Sequence, residues 1–256
     1  MDDETEAKYA SLKRFNLAMG TLHLVQGILM LVLSNDSTLP ITASYVTYDV
    51  ATEEFVSTQT TLFDLWLGPA VAMFMFISAI AHYSVGTFGN DWYVRNLGRG
   101  INYARWFEYA ISSSIMIVLI AMLVGIYDFA ALTFLFGVNA LMNLMGLMME
   151  VHNQTTEGTD WKSFNIGVFA AVVAWFPIFL YLLGPGGPAD REVPGFVYGI
   201  FISLAFFYNT FAVNMWLQYR AKGRWADYLY GERMYIVLSL VSKSALAWQV
   251  FTGTLM

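Results

Sequence analysis

The chain has 256 residues, of which 57% are hydrophobic, 17% aromatic and only 12% charged, with a formal net charge of −6. Soluble domains carry about 25% charged residues, so a compact water-soluble enzyme and a disordered chain are both excluded, and an acidic chain does not suit nucleic acid. There is no cysteine, which removes disulfides, thiolate catalysis and Cys-zinc sites. A mean hydropathy of +0.54 points instead to a membrane.

The chain opens on acidic residues, Met1 to Glu6, unlike a cleavable signal peptide, so an internal segment is expected to direct insertion. A spanning helix needs about 20 mostly apolar residues, because the hydrocarbon core is about 30 Å thick. Residues 15–35, 65–90, 129–149, 163–189 and 193–219 contain no Asp, Glu, Lys or Arg. Residues 106–127 contain only Glu108, and 234–256 only Lys243. These stretches lack the period-2 alternation of a closed barrel, so they predict helices. The expected fold is all-α: one domain over 1–256 built as a seven-transmembrane-helix bundle. Its helices are predicted at 12–33, 64–86, 100–124, 129–149, 163–183, 195–219 and 232–254.

The long connection 34–62 is acidic and rich in Thr, Ser, Tyr and Val. Ser44–Val50 and Glu54–Thr58 predict a short β-hairpin around Ala51-Thr52-Glu53, the alternative being an irregular loop. A hairpin there would cap the outer mouth or meet a second subunit. Gly184-Pro185-Gly186-Gly187-Pro188 reads as a turn linker. One side of the membrane collects Lys8, Lys13, Arg14, Arg95, Arg99, Arg105, Lys162, Arg220, Lys222, Arg224 and Arg233, and the other only Arg191. The positive-inside rule then makes this a multi-pass protein of the cell membrane, N-terminus cytoplasmic, C-terminus and hairpin extracellular.

Charges at mid-membrane are costly and are functional-site hypotheses by default. Glu108 lies nine residues beyond Arg99, and Lys243 ten beyond Arg233. At a rise of 1.5 Å per residue both sit about 14–15 Å deep. His23, nine residues past Arg14, and His82, eight before Asn90, fall about 14 and about 12 Å deep. Each alone is compatible with plain packing, but four titratable groups in one layer point to a site. A buried amine can form a Schiff base with an aldehyde. Its protonated form needs a carboxylate, and Glu108 is the candidate at that depth. Ser239 stands one turn before Lys243 on the same face. Trp106, Phe107 and Tyr109, then Trp175, Phe176 and Phe179, then Phe206, Phe207 and Tyr208, and finally Trp248 are candidate pocket walls, each equally explained by packing. Asn139, Asn143, Asn209 and Asn214 are expected in interhelical hydrogen bonds. Two histidines and one glutamate around a lysine cation would repel a divalent metal, and neither a Ser-His-Asp set nor a phosphate loop is visible. No enzyme and no metal site is expected.

Seven helices with a mid-membrane lysine on the last and a carboxylate on the third resemble the microbial retinal proteins. The cytoplasmic N-terminus, the long outer loop and the His23/His82 pair make the chain similar to the heliorhodopsins in particular. That resemblance implies retinal, all-trans in the dark, on Lys243, with Glu108 as counterion. It implies that His23 and His82 lie in an internal proton-accepting network, and that Ser239 and Ser78 are polar pocket positions. Trp106, Tyr109, Phe206 and Trp248 are the expected aromatic contacts of the cofactor. It further implies a light sensor that works as a homodimer through the outer hairpin, surrounded by lipid and read by an unknown cytoplasmic signalling partner. Ordinary microbial rhodopsins usually place Asp where Ser239 stands. Helix 3 also has no second carboxylate between Glu108 and Asp128, so a proton donor opposite the acceptor is missing and net pumping is not expected. The alternative is a light-driven or light-gated ion transporter on the same scaffold. A third reading is a retinal-free transporter or receptor in which Lys243 and Glu108 form a structural pair.

Overall fold

The computed structural model describes residues 3–185, 187 and 192–255. Arg191, the one basic residue expected on the outer side, lies outside them, as do Gly186 and Pro188 of the expected linker. Among the described residues, seven helices are long and apolar enough to cross a membrane: α1 (Asp3–Leu33), α2 (Leu67–Gly86), α4 (Tyr103–Leu123), α5 (Phe129–His152), α6 (Lys162–Leu183), α7 (Gly195–Tyr219) and α8 (Tyr228–Val250). A further helix, α3 (Asn90–Leu97), is too short to span.

α6 and α7 match their expected bounds closely, because apolar runs dictate both. The polar ends are where expectation fails. α1 begins at Asp3 rather than residue 12. Its acidic first turn suits the helix dipole, and Lys8 pairs with Glu4 at 3.1 Å and with Asp227 at 3.3 Å. α8 starts at Tyr228 rather than residue 232, because the Asp227 carboxylate accepts the Leu229 N–H. α3 was not expected, since Asp91 and Arg95 interrupt any apolar run. It is amphipathic, and Tyr93 and Leu97, one turn apart, bury against Leu12, Val85, Leu229 and Ile236. Between α5 and α6, hydrogen bonds from the Lys162 backbone and ammonium hold the Asp160 carboxyl down to about 2.

The hairpin forms and is longer than predicted: β1 (Thr38–Asp49) pairs antiparallel with β2 (Glu54–Trp66), with an irregularity between Ile41 and Thr42. β2 runs directly into α2, so residues 64–66 belong to the strand rather than to the helix. Leu65 and Trp66 are apolar enough for either element, and Asp64 stands just before them. The sheet is anchored at its base, where Ile41 joins the main core and the Thr42 N–H donates to the Tyr127 carbonyl at 2.9 Å. Its far end projects, leaving Val46 69% and Phe55 77% exposed.

Neighbouring helices run up and down around a core centred on α2 and α4. A buried ion cluster staples one end: Arg105 of α4 pairs with both Glu150 of α5 and Glu232 of α8. The Asn102 N–H donates to Glu150 and its side-chain amide to Glu232, while Trp106 Nε1 also donates to Glu150. Each charge thus has an opposite charge beside it inside protein, as burial requires, although Arg105 Nε is left without a hydrogen-bond partner. α1 lies close on α2 because Gly27 has no side chain; a Cβ there would stand 2.6 Å from the Phe76 ring. Gly27→Leu should therefore destabilise the bundle by about 1–3 kcal/mol through overpacking. The lipid-facing Gly199→Leu, with no atom within 4 Å of its would-be Cβ, should leave the thermal unfolding temperature in detergent unchanged or higher.

Candidate functional site

Lys243 and Glu108 meet. The Lys243 Nζ donates to Glu108 Oε1 at 2.9 Å and to Ser239 Oγ at 2.8 Å. Ser78 of α2 holds the same carboxylate oxygen at 2.6 Å. Lys243 is only 2% exposed. Three helices thus supply one pair: α8 the amine and a hydroxyl acceptor, α4 the carboxylate, α2 a second hydroxyl. The ammonium also stands 5.1 Å from the centre of the Tyr109 ring, a favourable cation–π placement.

The two histidines join this layer. Their rings stack with centroids 5.5 Å apart and 14° between planes. His82 Nδ1 is 2.8 Å from Asn16 Oδ1, and His23 Nδ1 is 3.4 Å from Met75 Sδ. His23 is fully buried and its Nε2 has no hydrogen-bond partner. A small cavity of about 40 Å³ lies between Asn16, His82, Glu108 and the Arg105–Glu232 cluster.

On the other side of Tyr109 opens a cavity of about 450 Å³ between α5, α6 and α7. Binding pockets for organic ligands run about 300–1,000 Å³ and are mostly apolar. Trp106, Trp175, Phe201, Tyr208 and Phe211 are among its walls. α6 and α7 meet through Trp175, whose ring stands edge-on to Phe201 and Tyr208. Phe211 stands edge-on to Tyr109 at 5.4 Å, so Tyr109 and Phe211 link the amine to the cavity. Gly146 shapes one wall: a Cβ there would lie 2.3 Å from the Trp106 ring, and that ring is tethered by Trp106 Nε1 to Glu150. At the cavity wall, Asn143 and the neighbouring Asn139 both donate to Ser113 Oγ, and the Tyr208 hydroxyl donates to the Ser113 carbonyl.

Of the expected aromatic contacts, Trp106 lines the cavity and Tyr109 stands over the amine. Phe206 does not belong there. It is 64% exposed, because the buried face of α7 is set by Val197, Ile200, Leu204 and Met215. Phe107 likewise points outward. Trp248 is not among the cavity walls; its Nε1 donates to Gln26 at 3.0 Å and its ring packs on Phe251. Of the asparagines, Asn214 bonds the Gly231 carbonyl across to α8, whereas Asn209 bonds only back to Ala205 within α7. Sequence reasoning passed over Asn16, Met75, Glu150 and Glu232. Asn16, the polar residue seven before His23 on α1, was the available signal for the first.

A buried primary amine, a single carboxylate beside it and an aromatic cavity within reach define a seven-helix protein of the rhodopsin type, and these residues fit a retinal. The sequence matches the Heliorhodopsin family over residues 12–255. The chain belongs to that family, whose members are retinal proteins of the membrane. No curated protein matches it. Among solved structures, the transmembrane domain of Salpingoeca rosetta rhodopsin phosphodiesterase is similar, with a TM-score of 0.67 at 13% identity. The match covers 98% of this chain and 88% of that one. At that identity the likeness is one of fold.

The pair should behave as a thermodynamic unit. Lys243→Met alone leaves Glu108 buried and unpaired, and should cost about 3–5 kcal/mol. Lys243→Met combined with Glu108→Gln should recover most of that loss. Chemical denaturation of the retinal-free protein measures the cycle.

Proposed function

We propose that the protein is a light sensor whose retinal is carried by Lys243, with Glu108 as the sole carboxylate counterion. The observation that carries this reading is the buried 2.9 Å contact of Lys243 and Glu108, joined through the Tyr109 and Phe211 rings to an aromatic cavity, in a member of a retinal-binding family. Retinal, joined to Lys243 Nζ as a protonated Schiff base and all-trans in the dark, supplies the light absorption and the isomerisation. Glu108 balances the positive charge at Nζ, and Ser78 and Ser239 orient the two partners. Tyr109, Trp106 and the rings beyond them exclude water, which strengthens the ion pair.

On illumination the proton at Nζ leaves for the histidine layer of His23 and His82. Loss of the pair removes a strong local attraction in a low-dielectric site, and α4 and α8 repack. The Arg105–Glu150–Glu232 staple closes the same end of the bundle with mutually paired charges, which supports internal proton transfer without net ion pumping. The N-terminus is taken to face the cytoplasm on the strength of the Lys/Arg bias. The proposed homodimer would use the projecting hairpin, and a cytoplasmic partner would read the repacked face. No catalysis is assigned.

Absorption spectroscopy of the protein loaded with all-trans retinal tests the assignment. A visible band should be present in the native chain and absent in Lys243→Ala. Glu108→Gln should keep a band shifted to longer wavelength, because the positive charge is then less localised at Nζ. A band that survives Lys243→Ala would overturn the reading.

A further inference from the structure

We propose that Asn16 is a positioning residue: it holds His82 in the Nδ1–H tautomer, so that Nε2, with its lone pair, is the proton-accepting atom. The Asn16 amide fixes where the proton sits. Its two ends are chemically distinct but similar in shape, and their assignment follows from their partners. Asn16 Nδ2 faces the Leu12 carbonyl at 3.1 Å. A carbonyl oxygen only accepts, so the amide end facing it must be the NH2 group. The amide oxygen then faces His82 Nδ1 at 2.8 Å. An amide oxygen also only accepts, so the proton between the two sits on His82 Nδ1. In a neutral imidazole one nitrogen donates and the other accepts, and Nε2 is left as the acceptor.

The arrangement around the ring agrees. Asn16 is 2% exposed, so bulk solvent does not reach its amide. The stacked neighbour follows the same rule, since His23 Nδ1 is spent on the Met75 thioether and its Nε2 is free. His82 and Glu108 share the walls of the small cavity with Tyr93, Arg105 and Glu232. At about 40 Å³ it exceeds the roughly 10–15 Å³ that a water needs, so a water can relay a proton from the Lys243–Glu108 pair to the ring. In that step the N–H bond at Lys243 Nζ breaks, an N–H bond forms at His82 Nε2, and the positive charge moves to the imidazolium. Asn16 Oδ1 keeps its bond to Nδ1–H throughout, and so stabilises the charged ring.

This inference rests on the proposed light-driven proton transfer, but its test does not need that reading to hold. The chain has three histidines. The full-length protein is labelled with 15N-histidine in lipid bilayers, and His82 is assigned by its absence in His82→Phe. Solid-state NMR should show His82 protonated at Nδ1 and bare at Nε2. Asn16→Leu should shift the proton to Nε2 or mix the tautomers, whereas Asn16→Asp, which keeps the acceptor oxygen, should keep Nδ1 protonated. Flash absorption should show the light-driven proton loss at Lys243 slowed roughly tenfold in Asn16→Leu, the weight of one net hydrogen bond. An Nε2–H tautomer of His82 in the native chain overturns the proposal, as does an Asn16→Leu spectrum identical to native. If Asn16→Leu does not fold, the native and Asn16→Asp spectra decide. Failure of the chromophore assignment would appear separately, as a missing visible band with an unchanged His82 tautomer.

Discussion

An amine and a carboxylate buried in an apolar bundle each make the other possible. Placed alone at mid-membrane, either Lys243 or Glu108 would cost several kcal/mol of desolvation. Held 2.9 Å apart, with Ser78 and Ser239 on the remaining valences, the two are satisfied where no bulk water reaches them. That requirement orders the rest. α4 and α8 must face each other, α2 must bring Ser78 to the same level, and the rings of Tyr109 and Trp106 must shut the pair off. The proposed switch rests on the same physics, because moving the charge would remove the attraction that holds α4 to α8.

The two ends of the bundle are finished differently. One carries a polar staple, Arg105 between Glu150 and Glu232, together with the short helix α3 and the polar start of α1. The other carries the hairpin and the turn of residues 251–255, where the Thr254 carbonyl accepts from Asn35 and Ser37. The Lys243–Glu108 layer lies between them. On its histidine side stands a small polar cavity, and on its other side the large aromatic one. This asymmetry separates the place where a proton can go from the place where an organic ligand can lie.

Much of this was legible in the sequence. Runs without charge mark the spans because lipid tolerates little else, so α6 and α7 were placed almost to the residue. Lys243, Glu108, His23 and His82 stood out because polar groups are conspicuous in apolar helices, and simple counting along the helix rise put them at one depth. What was hidden needed the third dimension. Phe206 and Tyr208 are neighbours in sequence and equally aromatic, yet only the packing of Leu204 and Met215 says which one turns inward. The Arg105 staple was hidden as well, since nothing local tells Glu150 and Glu232 that they share a guanidinium. The hairpin's length was masked because Leu65 and Trp66 at its end are as apolar as the helix they precede. Asn16 escaped because its importance lies in the direction of an amide, which no pattern of residues encodes.

The central claim is covalent: one particular lysine carries the chromophore. The most direct measurement is to load the full chain with retinal, reduce it with sodium borohydride, digest it and locate the adduct by peptide mass spectrometry. A retinyl group should appear on the peptide containing Lys243 and on none containing Lys8, Lys13, Lys162 or Lys222. An adduct on one of those four lysines instead, or a loaded and coloured protein with no adduct at Lys243, would contradict the claim.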